Sequence, residues 1–204
     1  MAPKKIFITI PYFLPANPTG ETVKFVSGFV DEFEEEIDYF IICQDIDING
    51  AELENIVANK WVDYNSHSKV WYTSPEKVSD TIVKQIEIIK PDILFIVGFF
   101  SWHFNMVPLL FCKGPRKVIS TIGLLVPQTR KQNKWGRKVF LSVFKLLEYH
   151  YKVDFQVTNE DERNFILDYF KKIPNVFIAE IFENTGKINA QYRQMFKLST
   201  IEKK

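Results

Sequence analysis

A doubly wound α/β fold is the architecture this sequence predicts, with a mostly parallel sheet of about seven strands and helices on both faces. Two observations carry the expectation. Short, unbroken apolar runs rich in β-branched and aromatic residues recur along the chain, and unbroken runs mark strands covered on both faces. Between them lie segments with helical periodicity, joined by short links, which implies right-handed crossovers.

The runs, in order, are Lys5–Ile10, Ile37–Cys43, a weak one at Lys69–Tyr72, Asp92–Val97, Lys117–Thr121, Phe155–Thr158 and Val176–Ile181. Ile6–Ile10, Ile93–Val97 and Val118–Thr121 are the most apolar and are expected near the sheet centre. The first helix is expected over Thr19–Glu35. Val23, Val26, Phe29, Val30 and Phe33 share one stripe there, and Thr19 is the expected N-cap. Ser74-Pro75-Glu76 reads as the start of a second helix that stops before Pro91. Further helices are expected at Trp102–Cys112, Lys131–His150 and Glu160–Lys171, and residues 50–60 also read as helical. The tail from Lys187 to Lys204 reads as one polar helix.

At 204 residues the chain can bury a full core without staples. Nineteen Phe and eight Tyr leave aromatic rings to spare for a surface that meets something apolar. Cys43 and Cys112 lie in or beside apolar runs and read as core residues of a reducing compartment. No CxxC and no His/Cys cluster is present, so no zinc site is expected. The start, MAPKKIFITI, is too short for a signal peptide or a membrane span, which points to a cytoplasmic protein. A net charge of +1 argues against nucleic acid as the main partner.

Sheets of this kind bind ligands beyond the carboxyl ends of their strands, so function is sought in the following loops. After the first strand, PYFLPANPTGETVKF carries three prolines and then Gly20 at a helix start. That segment suits a phosphate or sugar hydroxyl, or is an ordinary proline-stiffened turn. The dinucleotide fingerprint G-x-G-x-x-G and the phosphate-cradling G-x-x-x-x-G-K-[ST] are both absent. After the fourth strand, His103 stands among Phe99, Phe100, Trp102 and Phe104. It reads as a base toward an acceptor hydroxyl or as a capping residue, with at least half the aromatics in the core. After the fifth strand, Arg130, Lys131, Lys134, Arg137, Lys138 and Lys145 interleave with Trp135, Phe140 and Phe144. A basic amphipathic helix suits an anionic membrane surface; alternatively its stripe packs on the sheet and its charges are merely solvated. After the sixth strand, Asn159-Glu160-Asp161-Glu162 opens a helix with acids that complement its dipole.

The order of these features resembles the amino-terminal half of a retaining, nucleotide-sugar-dependent glycosyltransferase of the GT-B fold. The similar pieces run from residue 4 to about 186: the Pro-rich loop with Gly20, IIKPDILFIVG, KVISTIG, the long basic helix, FQVTNEDERNFI and IPNVFIAEIFENTG. Where many such enzymes carry Gly-Gly, Gly20 stands alone, and where many carry a His after the fifth strand, this chain has Gly123.

The resemblance implies a Rossmann-like acceptor-binding domain over residues 1–186. Residues 187–204 would then be a polar helical tail or the start of an interdomain linker, with the second, donor-binding domain absent from the sequence. The implied function is the acceptor-binding half of an enzyme that moves a sugar from a nucleotide-sugar to a saccharide or lipid-linked acceptor in surface polysaccharide synthesis. A non-catalytic α/β module, or a subunit of a split enzyme, is the alternative. The candidate acceptor contacts are Thr19, Gly20, Trp102, His103, Gly123, Gln128, Arg130, Asn159 and Glu160, with His103 as the candidate catalytic residue. Lys134, Trp135, Arg137 and Lys138 are the candidate membrane contacts, which would make the protein peripheral on the inner membrane face. No cofactor is expected in this half, because the nucleotide-sugar would sit in the absent domain.

Overall fold

The computed structural model describes residues 3–32, 36–125, 134–171, 173, 175–179 and 185–198. Its strands form one eight-stranded sheet in the order β3-β4-β2-β1-β5-β6-β7-β8. The chain falls into two compact units, Met1–Val118 and Ile119–Lys204.

In the first unit β1 (Lys4–Thr9) pairs in parallel with both β2 (Ile37–Gln44) and β5 (Ile93–Val97). β4 (Ser68–Thr73) runs parallel to β2 on its other side. All five residues of β5 and the last four of β1 are buried, as unbroken apolar runs require. The three runs expected near the centre, with β6 (Arg116–Ser120) the third, hold the fourth, fifth and sixth places in the order.

The extra strand is β3 (Trp61–Asn65), antiparallel to β4, and sequence reading missed it. Four of its residues are only half-buried and Asp63 is exposed, so it lacks the continuous apolar signal of the inner strands. Trp61 faces Trp71 across the pair with ring centroids 5.5 Å apart. The expected helix at 50–60 is absent. Asp47 N–H bonds Ala51 O at 2.8 Å, Ala51 N–H bonds Asn49 Oδ1, and Asn55 and Asn59 take positive φ. Short amide side chains that close local turns outcompete helical hydrogen bonding here.

Helix α1 spans Glu21–Glu32 and buries Val23, Phe25, Val26, Phe29 and Val30. It starts two residues after the expected cap: Thr19 is exposed, and Gly20 O accepts the first helical bond from Lys24. Helix α2 spans Val78–Ile89, so Ser74 is not its N-cap. Ser74–Lys77 forms a turn closed by Lys77 N–H to Ser74 O, 3.0 Å. The helix ends at Lys90 in the left-handed region, ahead of Pro91. The segment expected as one helix from Trp102 opens as a π-helical turn, Trp102–Met106, and continues as α3 (Val107–Phe111).

In the second unit β7 (Asp154–Val157) pairs in parallel with β8 (Val176–Ile178). Helix α4 spans Lys134–Leu146, followed by a 3₁₀ turn at Tyr149–Tyr151, and α5 spans Glu160–Phe170. Phe144, fully buried, meets Phe155 at 6.2 Å and Phe170 at 5.5 Å. The tail is not merely polar. Helix α6 (Thr185–Phe196) begins before Lys187 and buries Tyr192, Met195 and Phe196 completely, at a spacing that places all three on one face.

His150 is 2 % exposed and stacks on Phe170 at 5.3 Å, and its Nδ1 has no partner. Burial first, and Lys145 second, hold its pKa below the ordinary histidine value, against a smaller pull from Glu148. A folded pKa below the unfolded one means the unfolded chain takes up the proton first. Stability is therefore expected to be full above about pH 6.5 and to fall as the pH drops through that value. Urea unfolding of His150→Phe, which keeps the stack and removes the titrating ring, should show a shallower loss between pH 7.5 and 5.5 than the parent. Equal slopes would mean that His150 is not the group responsible.

Candidate functional site

The candidate residues fall at the carboxyl ends of β1, β5, β6 and β7, where a parallel sheet directs its loops. In the first unit, the loop after β1 folds back on itself. Phe13 and Ala16 are fully buried, and the Tyr72 hydroxyl donates to Leu14 O. Asn17, at φ 41°, donates its N–H to Asp47 Oδ1 at 3.0 Å. A Cβ on Gly20 would lie 2.3 Å from Asn17 Nδ2. A side chain at position 20 would have to displace the Asn17 amide, which occupies the space that a ligand would need to approach that glycine.

The loop after β5 turns at Gly98, φ 96°, where the space a side chain would fill is open. Ser101 caps the π-helical turn through Phe104 N–H to Ser101 Oγ, 3.2 Å. Thr9, buried at the end of β1, donates its hydroxyl to Phe104 O at 2.8 Å and so ties the turn to the central strand. Asn105 is fully buried and donates Nδ2 to Gly98 O at 3.2 Å, while its Oδ1 has no partner. Neither Thr9 nor Asn105 stood out in the sequence. A buried hydroxyl or amide looks like any other polar residue until its partner, 95 positions away for Thr9, is known.

These contacts present Trp102 and His103 outward. Trp102 is 54 % exposed and His103 is exposed, while Phe99 and Phe104 are core. His103 Nδ1 lies 2.7 Å from Ser79 Oγ on α2. That bond fixes the ring and leaves Nε2 on an exposed edge, an arrangement that can exchange a proton or accept a hydroxyl hydrogen. Two cavities of the same unit lie elsewhere, between α2 and α3. One of about 480 Å³ includes Lys90, Phe111 and Lys113, and one of about 420 Å³ includes Ser79, Lys84 and Phe111. His103 lines neither.

In the second unit, the loop after β6 is organised by Glu162, which is fully buried on α5. Its Oε2 accepts from Gly123 N–H at 3.3 Å, Thr158 N–H at 3.0 Å and the Thr158 hydroxyl at 3.3 Å; Oε1 accepts from Leu125 N–H at 3.1 Å. Ile122 and Gly123 both take positive φ there, at 43° and 74°. Asn159 caps α5 by accepting from Glu162 N–H at 2.9 Å, and Glu160 pairs with Arg163 at 3.1 Å on the surface. The cap carries no separate reading in the sequence, where Asn159 stands only as a candidate acceptor contact; the carboxylate that reaches back to hold the neighbouring loop is Glu162, whose sequence position marks it only as a dipole-complementing acid. Gln128 and Arg130 lie outside the described residues, as do the basic positions up to Lys131.

Among the described residues, no group of three or more His, Cys, Asp or Glu side chains is placed to hold a metal ion. Cys43 and Cys112 are free and buried, and burial raises the Cys112 thiol to about 11, which makes it a poor nucleophile at neutral pH. No helix among the described residues is long and apolar enough to cross a membrane.

The sheet order and its loops define a domain of the GT-B type. Solved structures share this fold. The chain superimposes on sucrose-phosphate synthase from Thermosynechococcus elongatus with a TM-score of 0.58 at 12% identity, covering 96% of this chain and 53% of that one. A second sucrose-phosphate synthase structure from the same organism, covered over 98% of its length, gives 0.57 at 11% identity over 95% of this chain. UDP-GlcNAc 2-epimerase from Methanocaldococcus jannaschii gives 0.51 at 13% identity over 96% of this chain and 50% of that one. The chain thus spans about half the length of the larger structures it matches. No family model and no curated protein matches the sequence.

Proposed function

We propose that this chain is the acceptor-binding half of a glycosyltransferase that moves a sugar from a nucleotide-sugar to a saccharide or lipid-linked acceptor, in surface polysaccharide synthesis. The observation that supports the reading is the exposed Trp102 beside the Ser79-bonded His103 in the loop after β5 of a GT-B-type sheet. The exposed Trp102 ring offers an apolar face to a sugar. His103 takes the proton of the acceptor hydroxyl as its oxygen bonds the anomeric carbon and the bond to the nucleoside diphosphate breaks. In this reading the donor is held by a further, donor-binding domain.

A non-catalytic α/β module is the rival, and three candidates already engaged within the chain favour it: Gly20 by Asn17, Gly123 by Glu162 and Asn159 as a cap. Calorimetric titration of the 204-residue chain with UDP-glucose is expected to show nothing tighter than roughly millimolar, about −4 kcal/mol. Micromolar binding would place a donor site in this half and sink the reading. Amide shifts on adding octyl glucoside should fall on residues 99–105 or 121–125; shifts at neither segment would favour the module.

A further inference from the structure

We infer that the outward face of α4 docks this protein on an anionic lipid surface. The inference goes beyond the acceptor reading and does not depend on it, because vesicle binding requires neither donor nor acceptor.

Helix α4 carries Lys134, Arg137, Lys138 and Lys145 and no acid between Lys134 and Leu146. Three of the four cations lie in its first turn or immediately after, at the end where the helix dipole is already positive. Helix stability therefore does not account for them. Nor does the core account for the apolar residues beside them. Leu141 and Phe144 are buried and anchor the helix, whereas Trp135 is 79 % exposed, Leu146 is 80 % exposed, and Val139 is exposed as well.

The spacing makes these three one surface. At about 100° per residue, positions 135, 139 and 146 fall within a sector of about 40°, and at 1.5 Å per residue the stripe is about 16 Å long. Lys138, exposed, and Lys145 fall on one flank of it, about 60–80° from Trp135. Lys145 donates to Tyr169 O at 2.8 Å and so holds its charge beside the stripe. An aromatic and aliphatic stripe flanked by cations is complementary to an acyl boundary beneath anionic headgroups. A purely protein partner would explain the stripe but not a helix on which every charge has one sign.

The test is sedimentation of the full chain with vesicles of phosphatidylcholine alone, or with about 30% phosphatidylglycerol, at about 0.1 M and 1 M salt, where the Debye length falls from about 10 Å to about 3 Å. Strong pelleting with the anionic vesicles at low salt, and little with the neutral ones, is expected. Lys138→Glu should weaken it about tenfold, from the lost cation and the added repulsion. Trp135→Ser with Leu146→Ser should weaken it at both salt concentrations, because insertion of the stripe is not screened. Circular dichroism of each variant confirms that the fold is intact. Equal pelleting with both vesicles, no pelleting, or anionic binding unchanged in both variants would overturn the inference. Self-association that disappears in the Trp135→Ser, Leu146→Ser variant without lipid binding would assign the face to a second copy instead.

Discussion

Glu162→Ala is expected to be among the most damaging single substitutions at the candidate site. The carboxylate is fully buried and accepts four hydrogen bonds, from three N–H groups and one hydroxyl. Truncation strands those donors around a buried position. Bonds to a charged acceptor are each worth about 1.5–3 kcal/mol, but relaxation lets some donors find water, so the expected cost is about 3 kcal/mol. For a chain of this size that lowers Tm by roughly 6–12 °C. Glu162→Gln is expected to cost less, because it keeps one acceptor oxygen while turning an amide NH₂ against a backbone donor. Amide hydrogen exchange gives the local readout: Gly123 and Leu125 should exchange faster in both variants. A Glu162→Ala protein that melts with the parent would mean that the loop after β6 is held by something else.

Gln156→Leu should cost about 2 kcal/mol although the volume is nearly conserved. Gln156 is fully buried in β7. It accepts from the Ser120 hydroxyl in β6 and donates Nε2 to Ala179 O at 2.7 Å and to Val157 O at 3.2 Å. Leucine leaves a hydroxyl and a carbonyl without partners in the interior of the sheet. Adding Ser120→Ala to Gln156→Leu removes one of those orphans and is expected to recover part of the loss, so the pair should be non-additive in urea denaturation. Strict additivity would mean that the two side chains do not share their energy. The same network binds the strand that ends at the Glu162-held loop, since Thr121 N–H and Oγ1 both reach Gln156 O, at 3.0 and 3.2 Å.

The sequence by itself determined the class of fold and the central strands. A strand buried on both faces must be apolar at nearly every position, and Ile6–Ile10, Ile93–Val97 and Val118–Thr121 are the most apolar runs of the chain without any knowledge of their neighbours. It also determined the stop of α2 before Pro91, because that depends on backbone chemistry within one turn. Only the tertiary structure decided the rest. The half-buried strand Trp61–Asn65 exists because it pairs with Ser68–Thr73, and its own residues carry no comparable signal. The tail helix was legible as a helix, but the burial of Tyr192, Met195 and Phe196 depends on what covers them. Gly20 looked like an opening for a ligand until Asn17 was found lying over it. Glu162 looked like one acid among three in a first turn, and only its position beneath the loop after β6 made it the residue that holds Gly123 and Leu125. Secondary structure follows from forces that act over a few residues, whereas the site follows from hydrogen bonds between residues nearly forty positions apart or more, and a linear pattern does not encode which distant donor meets which acceptor.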